Sequence, residues 1–367
     1  MDTSFNEIDW DLNKDLVLIN PRILDLEKKE VLKELEKFVF DAPHFWIATS
    51  GSTGARKWIS LSKQAIFASA QAVNQHLSIT SQDRWINPLP TFHVGGLGIL
   101  ARAYLTKSLC FSFCHKWNPY LFYRFVQENK GSITALVPTQ VYDLVMSQLK
   151  APSSLRVVIV GGGVLNKNIY NKALDLGWPL HLSYGMTECA SQIATSIVNN
   201  QLSLLPHIKI DFTKEGLIMI KSPSLLTGYA SQSQGKWFFK DPKVEDWFIT
   251  EDYGRWDTQG LVILGREKHV IKVGGENVNI FFLQEILESI QMEMGIFFET
   301  ILFSRRDERL GSIIYLATTD KKYENLVAAF NLKVMPYERI RGVKVLDTIP
   351  KTSIGKIDYM QLMQISI

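Results

Sequence analysis

Thr49-Ser50-Gly51-Ser52-Thr53-Gly54-Ala55-Arg56-Lys57 holds four hydroxyl side chains, two glycines and two cations within nine residues. The apolar run Phe45-Trp46-Ile47-Ala48 precedes it and Trp58-Ile59-Ser60-Leu61 follows, so both flanks read as short strands. Glycines let a backbone approach a ligand closely, and exposed N–H groups, hydroxyls and a lysine suit a polyanion. The stretch reads as a phosphate-gripping loop at a strand end. A Ser/Gly-rich hairpin turn is the alternative. A Walker A loop is excluded, because that motif needs glycine directly before Lys-[Ser/Thr]. Here Ala55 and Arg56 separate Gly54 from Lys57, and Trp58 stands where the hydroxyl belongs.

The chain around this loop has 367 residues, which is long for one compact core and predicts two domains. It is 46% hydrophobic and 21% charged, the balance of a globular enzyme-sized protein. A net charge of +3 is too small to argue for nucleic acid or an anionic membrane. The closest approach to a membrane span, Val94 to Phe113, is broken by Arg102 and Lys107, so no integral membrane contact is expected. The acidic start, Asp2, Glu7, Asp9 and Asp11, is unlike a signal peptide. Three cysteines give no disulfide framework, and Cys110, Cys114 and His115 lack a fourth zinc ligand nearby. A reducing cytoplasmic location fits best.

Along the chain, Pro21 to Phe40 carries an amphipathic helical pattern, and Ser62 is an N-cap for a helix to Leu77. The prolines and paired glycines of 85–96 predict a turn, with His93 either packed or functional. From 97 to 180 helical and strand patterns alternate, which predicts a parallel sheet flanked by helices. Ligands of such sheets bind beyond the carboxyl ends of strands. Gly161-Gly162-Gly163 follows the apolar strand Leu155–Val160 at such an end, without the G-x-G-x-x-G spacing of a nicotinamide fold. Ser183-Tyr184-Gly185-Met186-Thr187-Glu188 is a second such cluster. A tyrosine face stacks on a purine, a threonine hydroxyl binds phosphate and a glutamate holds Mg2+; a polar surface turn is the alternative. Residues 207–265 read as an antiparallel β subdomain, with Asp252 in a turn that either chelates ribose hydroxyls or closes an Asx turn. A boundary at about 265–268 divides the chain into 1–266 and 267–367. The cationic segment Pro350-Lys351-Thr352-Ser353-Ile354-Gly355-Lys356 taken alone reads as a solvated tail.

These clusters, in this order, resemble the adenylate-forming superfamily of acyl-CoA synthetases, luciferases and peptide-synthetase adenylation domains. Residues 49–57 resemble its T-S-G-S-T-G-x-P-K loop, 184–188 its Y-G-x-T-E cluster, and Asp252 its ribose aspartate. Residues 265–278 resemble G-R-x-x-D-x-I-K-x-G-G-E-N-[VI], and 350–356 resemble P-[KR]-T-x-x-G-K. Arg56, Glu251 and His269 depart from the usual Pro, Gly and Asp. The resemblance implies an α/β fold: a large N-terminal domain of mostly parallel, helix-flanked sheets plus an antiparallel β subdomain, and a small mobile α+β C-terminal domain. It implies ATP, Mg2+ and coenzyme A. It assigns nucleotide contacts to Thr49, Ser50, Gly51, Ser52, Thr53, Gly54, Lys57, Gly161, Gly162, Gly163, Tyr184, Gly185, Met186, Asp252 and Arg266. It gives catalytic roles to Lys356, Thr187, Glu188 and His93, with Glu188 on the metal. Lys268 becomes the hinge, and Gly274, Gly275 and Glu276 a loop facing coenzyme A. The lead-in before residue 45 is shorter than in typical members, which leaves the oligomeric state, a homodimer among the options, unsettled.

Within the superfamily, residues 89–102 and 184–192 look like the o-succinylbenzoate–CoA ligases of menaquinone biosynthesis. Such an acid carries a second carboxylate, which Arg102 would pair beside His93 and Ser191; a helix-surface arginine is the alternative. Other expectations stay open: a CoA ligase for another aromatic or medium-chain acid, an adenylation protein loading a separate carrier, or a non-catalytic adenylate-binding regulator.

Overall fold

The computed structural model describes residues 8–11, 13–49, 57–197, 201–258, 260–266, 270–352 and 355–365. Its centre is an 11-stranded sheet. In spatial order the strands are Lys209–Phe212, Leu217–Lys221, Phe248–Asp257, Gly260–Arg266, Leu202–Leu204, Ser191–Ser196, Leu180–Met186, Val157–Val160, Ile133–Leu136, Arg84–Asn87 and Leu109–Ser112. The last five pair in parallel. Helices cover both of their faces, which is why Ile133–Leu136 and Val157–Val160 are buried at every position. Each large apolar side chain so buried contributes about 1.5–3 kcal/mol.

Three expectations are corrected here. The antiparallel strands between 207 and 265 form no single subdomain sheet. Gly228–Ser233 and Lys236–Lys240 join the second sheet described below. Lys209–Phe212, Leu217–Lys221, Phe248–Asp257 and Gly260–Arg266 continue the parallel one, because Leu180–Met186 pairs antiparallel with Ser191–Ser196 and so reverses the pattern within one hydrogen-bonded surface. The 85–96 stretch is not all turn: Arg84–Asn87 is a strand whose Trp85 and Ile86 are fully buried, so burial outweighs the turn signal of the following prolines. Asp252 lies inside the strand Phe248–Asp257, paired with Arg266, and not in a turn.

A second sheet has five strands in the order Leu16–Leu18, His44–Thr49, Lys57–Ser62, Gly228–Ser233 and Lys236–Lys240. The flanks of the opening loop are strands, as the apolar runs predicted, and they form an antiparallel pair with Thr49 opposite Lys57. Ser62 caps the helix Lys63–His76 by accepting from the Ala65 N–H at 3.1 Å. Helix Asp25–Leu35 packs Val31 and Leu35 against Trp46 and Trp58 of this sheet. The remaining strands, from Val270–Val273 to Ile340–Val345, make a third sheet packed on the helices Ile280–Glu293 and Glu324–Lys333. Among the described residues no helix is long and apolar enough to cross a membrane.

Candidate active site

The carboxyl ends of the parallel strands converge on one cleft. Arg84–Asn87 leads into the 88–93 segment and the helix Val94–Thr106. Ile133–Leu136 leads into the helix Pro138–Met146, Val157–Val160 into the triple glycine, and Leu180–Met186 into the short 3-10 turn Thr187–Cys189. Lys356 enters from the far end of the chain. A Cβ placed on Gly162 would stand 2.9 Å from Lys356 Cε and 3.6 Å from its Nζ. Gly162 has φ +81°, a conformation L side chains rarely adopt. The slot favours glycine for its backbone conformation, and the end of the Lys356 side chain occupies the space a Cβ would take.

Charges inside this cleft act on one another. Lys356 retains solvent access along the cleft, yet the surrounding protein lowers its pKa, Arg266 lowers it further and Glu188 raises it in part. His93 is held neutral: burial and the Lys356 charge push its pKa down to about 4. Its Nε2 is buried without a partner among the described residues. Burial pushes the Glu188 carboxyl up, with its own N–H, Arg266 and Lys57 pulling back. Among the described residues Glu188 has no ion pair within bonding distance, and no group of three metal-ligating side chains forms. A single carboxylate fits Mg2+, which keeps waters and takes substrate phosphates as its other ligands.

The Tyr184 hydroxyl donates to Asp252 Oδ2 at 2.7 Å, and Arg266 Nε donates to Oδ1 at 2.7 Å. Burial and the Asp252 charge raise the Tyr184 pKa, so the hydroxyl stays a donor. Lys57 Nζ lies 5.0 Å from the centroid of the Tyr229 ring.

Behind this group, Arg102 is 1% exposed. It is no helix-surface arginine. Its Nη2 donates to Ser191 Oγ at 3.1 Å, its guanidinium carbon stands 6.0 Å from the Trp85 ring centroid, and its Nε has no partner among the described residues. Among the described residues no carboxylate pairs with it, and burial pushes its pKa down to about 10. A Cβ on Gly98 would come within 3.1 Å of Nη2, so this glycine gives the guanidinium its room. Ser191 itself has φ +112°, strained for a non-glycine residue, and follows Ala190 at φ +51°.

The fold therefore brings together Lys57, His93, Gly161, Gly162, Gly163, Tyr184, Glu188, Asp252, Arg266 and Lys356, with Arg102 and Ser191 beneath. Gly185, Met186 and Thr187 lie between Tyr184 and Glu188, the first two in the strand itself. Thr49 ends its strand opposite Lys57. Ser50, Gly51, Ser52, Thr53, Gly54 and Lys268 lie outside the described residues. Gly274 and Gly275 form an exposed turn, with Gly274 beside Leu310, and Glu276 opens the strand Glu276–Asn279 opposite Val273. Sequence reasoning missed Ser183, whose Oγ donates to Val160 O at 3.1 Å beside Gly161, Thr139, which bonds the backbone next to Lys356, and Tyr229 under Lys57. Only Ser183 stood in a quoted cluster; the others carry no local signal.

A family model described as AMP-binding enzyme matches residues 21–230. A 2-succinylbenzoate–CoA ligase of Bacillus cytotoxicus is 27% identical over 343 residues, 87% of this chain and 69% of the relative. One of Lactococcus lactis is 28% identical over 326 residues, 84% of this chain and 68% of the relative. Among solved structures, the o-succinylbenzoate CoA synthetase of Bacillus subtilis in complex with ATP and magnesium superposes with a TM-score of 0.75 at 21% identity, over 96% of this chain and 79% of that one. The same enzyme with its acyl-adenylate intermediate gives 0.75 at 21% identity, over 96% and 78%. ATP-bound MatB from Rhodopseudomonas palustris gives 0.73 at 19% identity, over 87% and 67%.

Proposed function

This chain belongs to the AMP-binding enzyme family, and from that premise we propose that it is an ATP-dependent acid–CoA ligase acting on o-succinylbenzoate. The observation that carries the reading is Arg102, a buried guanidinium with an unpartnered Nε and no carboxylate among the described residues. An uncompensated buried charge is costly and is kept where a ligand completes it. A substrate with a second carboxylate does so bidentately. The names of the Bacillus cytotoxicus and Lactococcus lactis relatives point to the same acid.

The reaction has two steps. An oxygen of the acid carboxylate attacks the α-phosphorus of ATP; the new O–P bond forms as the bond to the β-phosphate oxygen breaks and pyrophosphate leaves. Lys356 donates to the phosphoryl oxygens as charge gathers on them, and Lys57 holds the polyphosphate. Asp252, fixed by Tyr184 and Arg266, accepts from the ribose hydroxyls. Mg2+, when bound at Glu188, neutralises phosphate charge. His93, neutral and unpartnered, donates to or accepts from the acyl group without adding charge. In the second step the coenzyme A sulfur attacks the acyl carbon, the C–S bond forms, the C–O bond to AMP breaks and the thiol proton leaves to solvent. Residues 1–266 form the body and 267–367 the lid that carries Lys356, with Lys268 at the hinge and Gly274, Gly275 and Glu276 presented to coenzyme A after rotation.

Acid-dependent pyrophosphate release, with and without coenzyme A, tests this across a panel of acids. Release with o-succinylbenzoate that becomes thioester on adding coenzyme A is the expected result. Release with other acids only removes the substrate assignment, and ATP binding without release for any acid removes the ligase.

A further inference from the structure

We propose that Thr139 is a positioning residue for Lys356, and that the face of helix Pro138–Met146 bearing Thr139, Tyr142 and Asp143 is the seat on which the C-terminal region docks for adenylation. The proposal rests on the ligase reading above and deepens it.

Thr139 Oγ1 donates to the Gly355 carbonyl at 2.7 Å, across 216 residues of chain. Gly355 precedes Lys356 and has φ +76°; a Cβ there would meet Thr139 Oγ1 at 2.8 Å and Val137 Cγ2 at 3.0 Å. Thr352, Gly355 and Lys356 are tied to one another. Thr352 N donates to Lys356 O at 2.7 Å, Gly355 N to Thr352 O at 2.9 Å and Lys356 N to Thr352 Oγ1 at 3.2 Å, while Lys351 bridges Ile357. Fixing the Gly355 carbonyl therefore fixes the next side chain. The two anchors sit on neighbouring parallel strands: Thr139 follows Ile133–Leu136, and the Gly162 slot follows Val157–Val160. Their spacing is set by the sheet.

One helical turn beyond Thr139 the contact continues. The Tyr142 hydroxyl donates to Phe297 O at 3.3 Å. Lys351 pairs with Glu299 at 3.2 Å and lies 5.9 Å from the Tyr142 ring centroid; burial raises the Asp143 pKa, and the Trp117 hydrogen bond and the Lys351 charge offset part of that rise. Lys172 of the adjoining helix stands 3.0 Å from the Phe297 ring centroid. A cavity of about 120 Å³ remains between the two surfaces. Such a seat, held by single polar contacts around a gap, can release. An apolar, close-packed one would not. Each neutral hydrogen bond biases the docked population by roughly twofold to tenfold.

Thr139→Val keeps the shape and removes the hydroxyl; Thr139→Ser restores it. In Thr139→Val, kcat for pyrophosphate release should fall about fivefold to tenfold, the KM for ATP should hold, and thioester formation from preformed acyl-adenylate and coenzyme A should be unaffected. Thr139→Ser should recover the loss. Equal loss in both half-reactions, or no recovery with serine, overturns the proposal. A second measurement is independent of turnover: with ATP and Mg2+ bound, the Gly355 and Lys356 amides should exchange hydrogen faster in Thr139→Val than in the natural protein. Equal exchange overturns the proposal whatever the acid. Inactivity of the natural protein with every acid, alongside this exchange difference, removes the ligase reading and leaves the seat standing.

Discussion

The aliphatic end of Lys356 lies against the backbone of Gly162, with Cε 2.9 Å from where a Cβ would be. Gly162→Ala meets both this contact and a φ of +81°. It should lower stability by about 1 kcal/mol and slow adenylation by about tenfold or more. Lys356→Ala should slow adenylation by about a hundredfold while the thioester step suffers far less. Single-turnover assays of each half-reaction separate the two variants from a general loss of fold.

Arg102 is buried without an acidic partner among the described residues, so its substitution should split stability from binding. Arg102→Met should leave the unfolding midpoint unchanged or higher, since a desolvated charge is exchanged for an apolar chain of similar length. The KM for the diacid should rise by about tenfold to a hundredfold, the range of a hydrogen bond to a charged group. An analogue lacking the spare carboxylate should show no such change. A falling midpoint with equal effects on both acids would show Arg102 to be structural.

Tyr184 and Arg266 grip opposite oxygens of Asp252. Tyr184→Phe removes one of two supports and should raise the KM for ATP by about fivefold, the worth of one neutral hydrogen bond, with kcat nearly unchanged. Asp252→Ala should cost more. Titration calorimetry with ATP in the absence of acid checks both.

His93 and His207 both have pKa values pushed down from 6.5 to about 4 by burial, His93 also by Lys356. Between these values the unfolded chain binds more protons than the folded one, so stability rises with pH across this window and is lost as pH falls through it. His93→Gln, which cannot take up the proton, should flatten the fall in unfolding midpoint between pH 6.5 and 4, and His207→Gln should flatten what remains. Calorimetric scans across that range give the slopes.

Sequence alone determined the local chemistry of this protein. The flanks of the 49–57 loop are short apolar runs buried over consecutive positions as central strands are, Ser62 caps its helix, and the apolar run ending at Val160 delivers three glycines to a strand end. These are consequences of short-range propensity and burial, legible within a dozen residues. The five motifs are legible for the same reason, since each is a short cluster in the chain. What joins them was decided by the tertiary structure. The single sheet uniting the parallel and antiparallel halves, Asp252 within a strand opposite Arg266, Arg102 buried on Ser191, and Thr139 beneath Gly355 all depend on strand order and register. Those contacts link residues 14, 89 and 216 positions apart. No local pattern encodes them, because a side chain's partner across a sheet is set by the packing of the whole core and not by its neighbours in the chain.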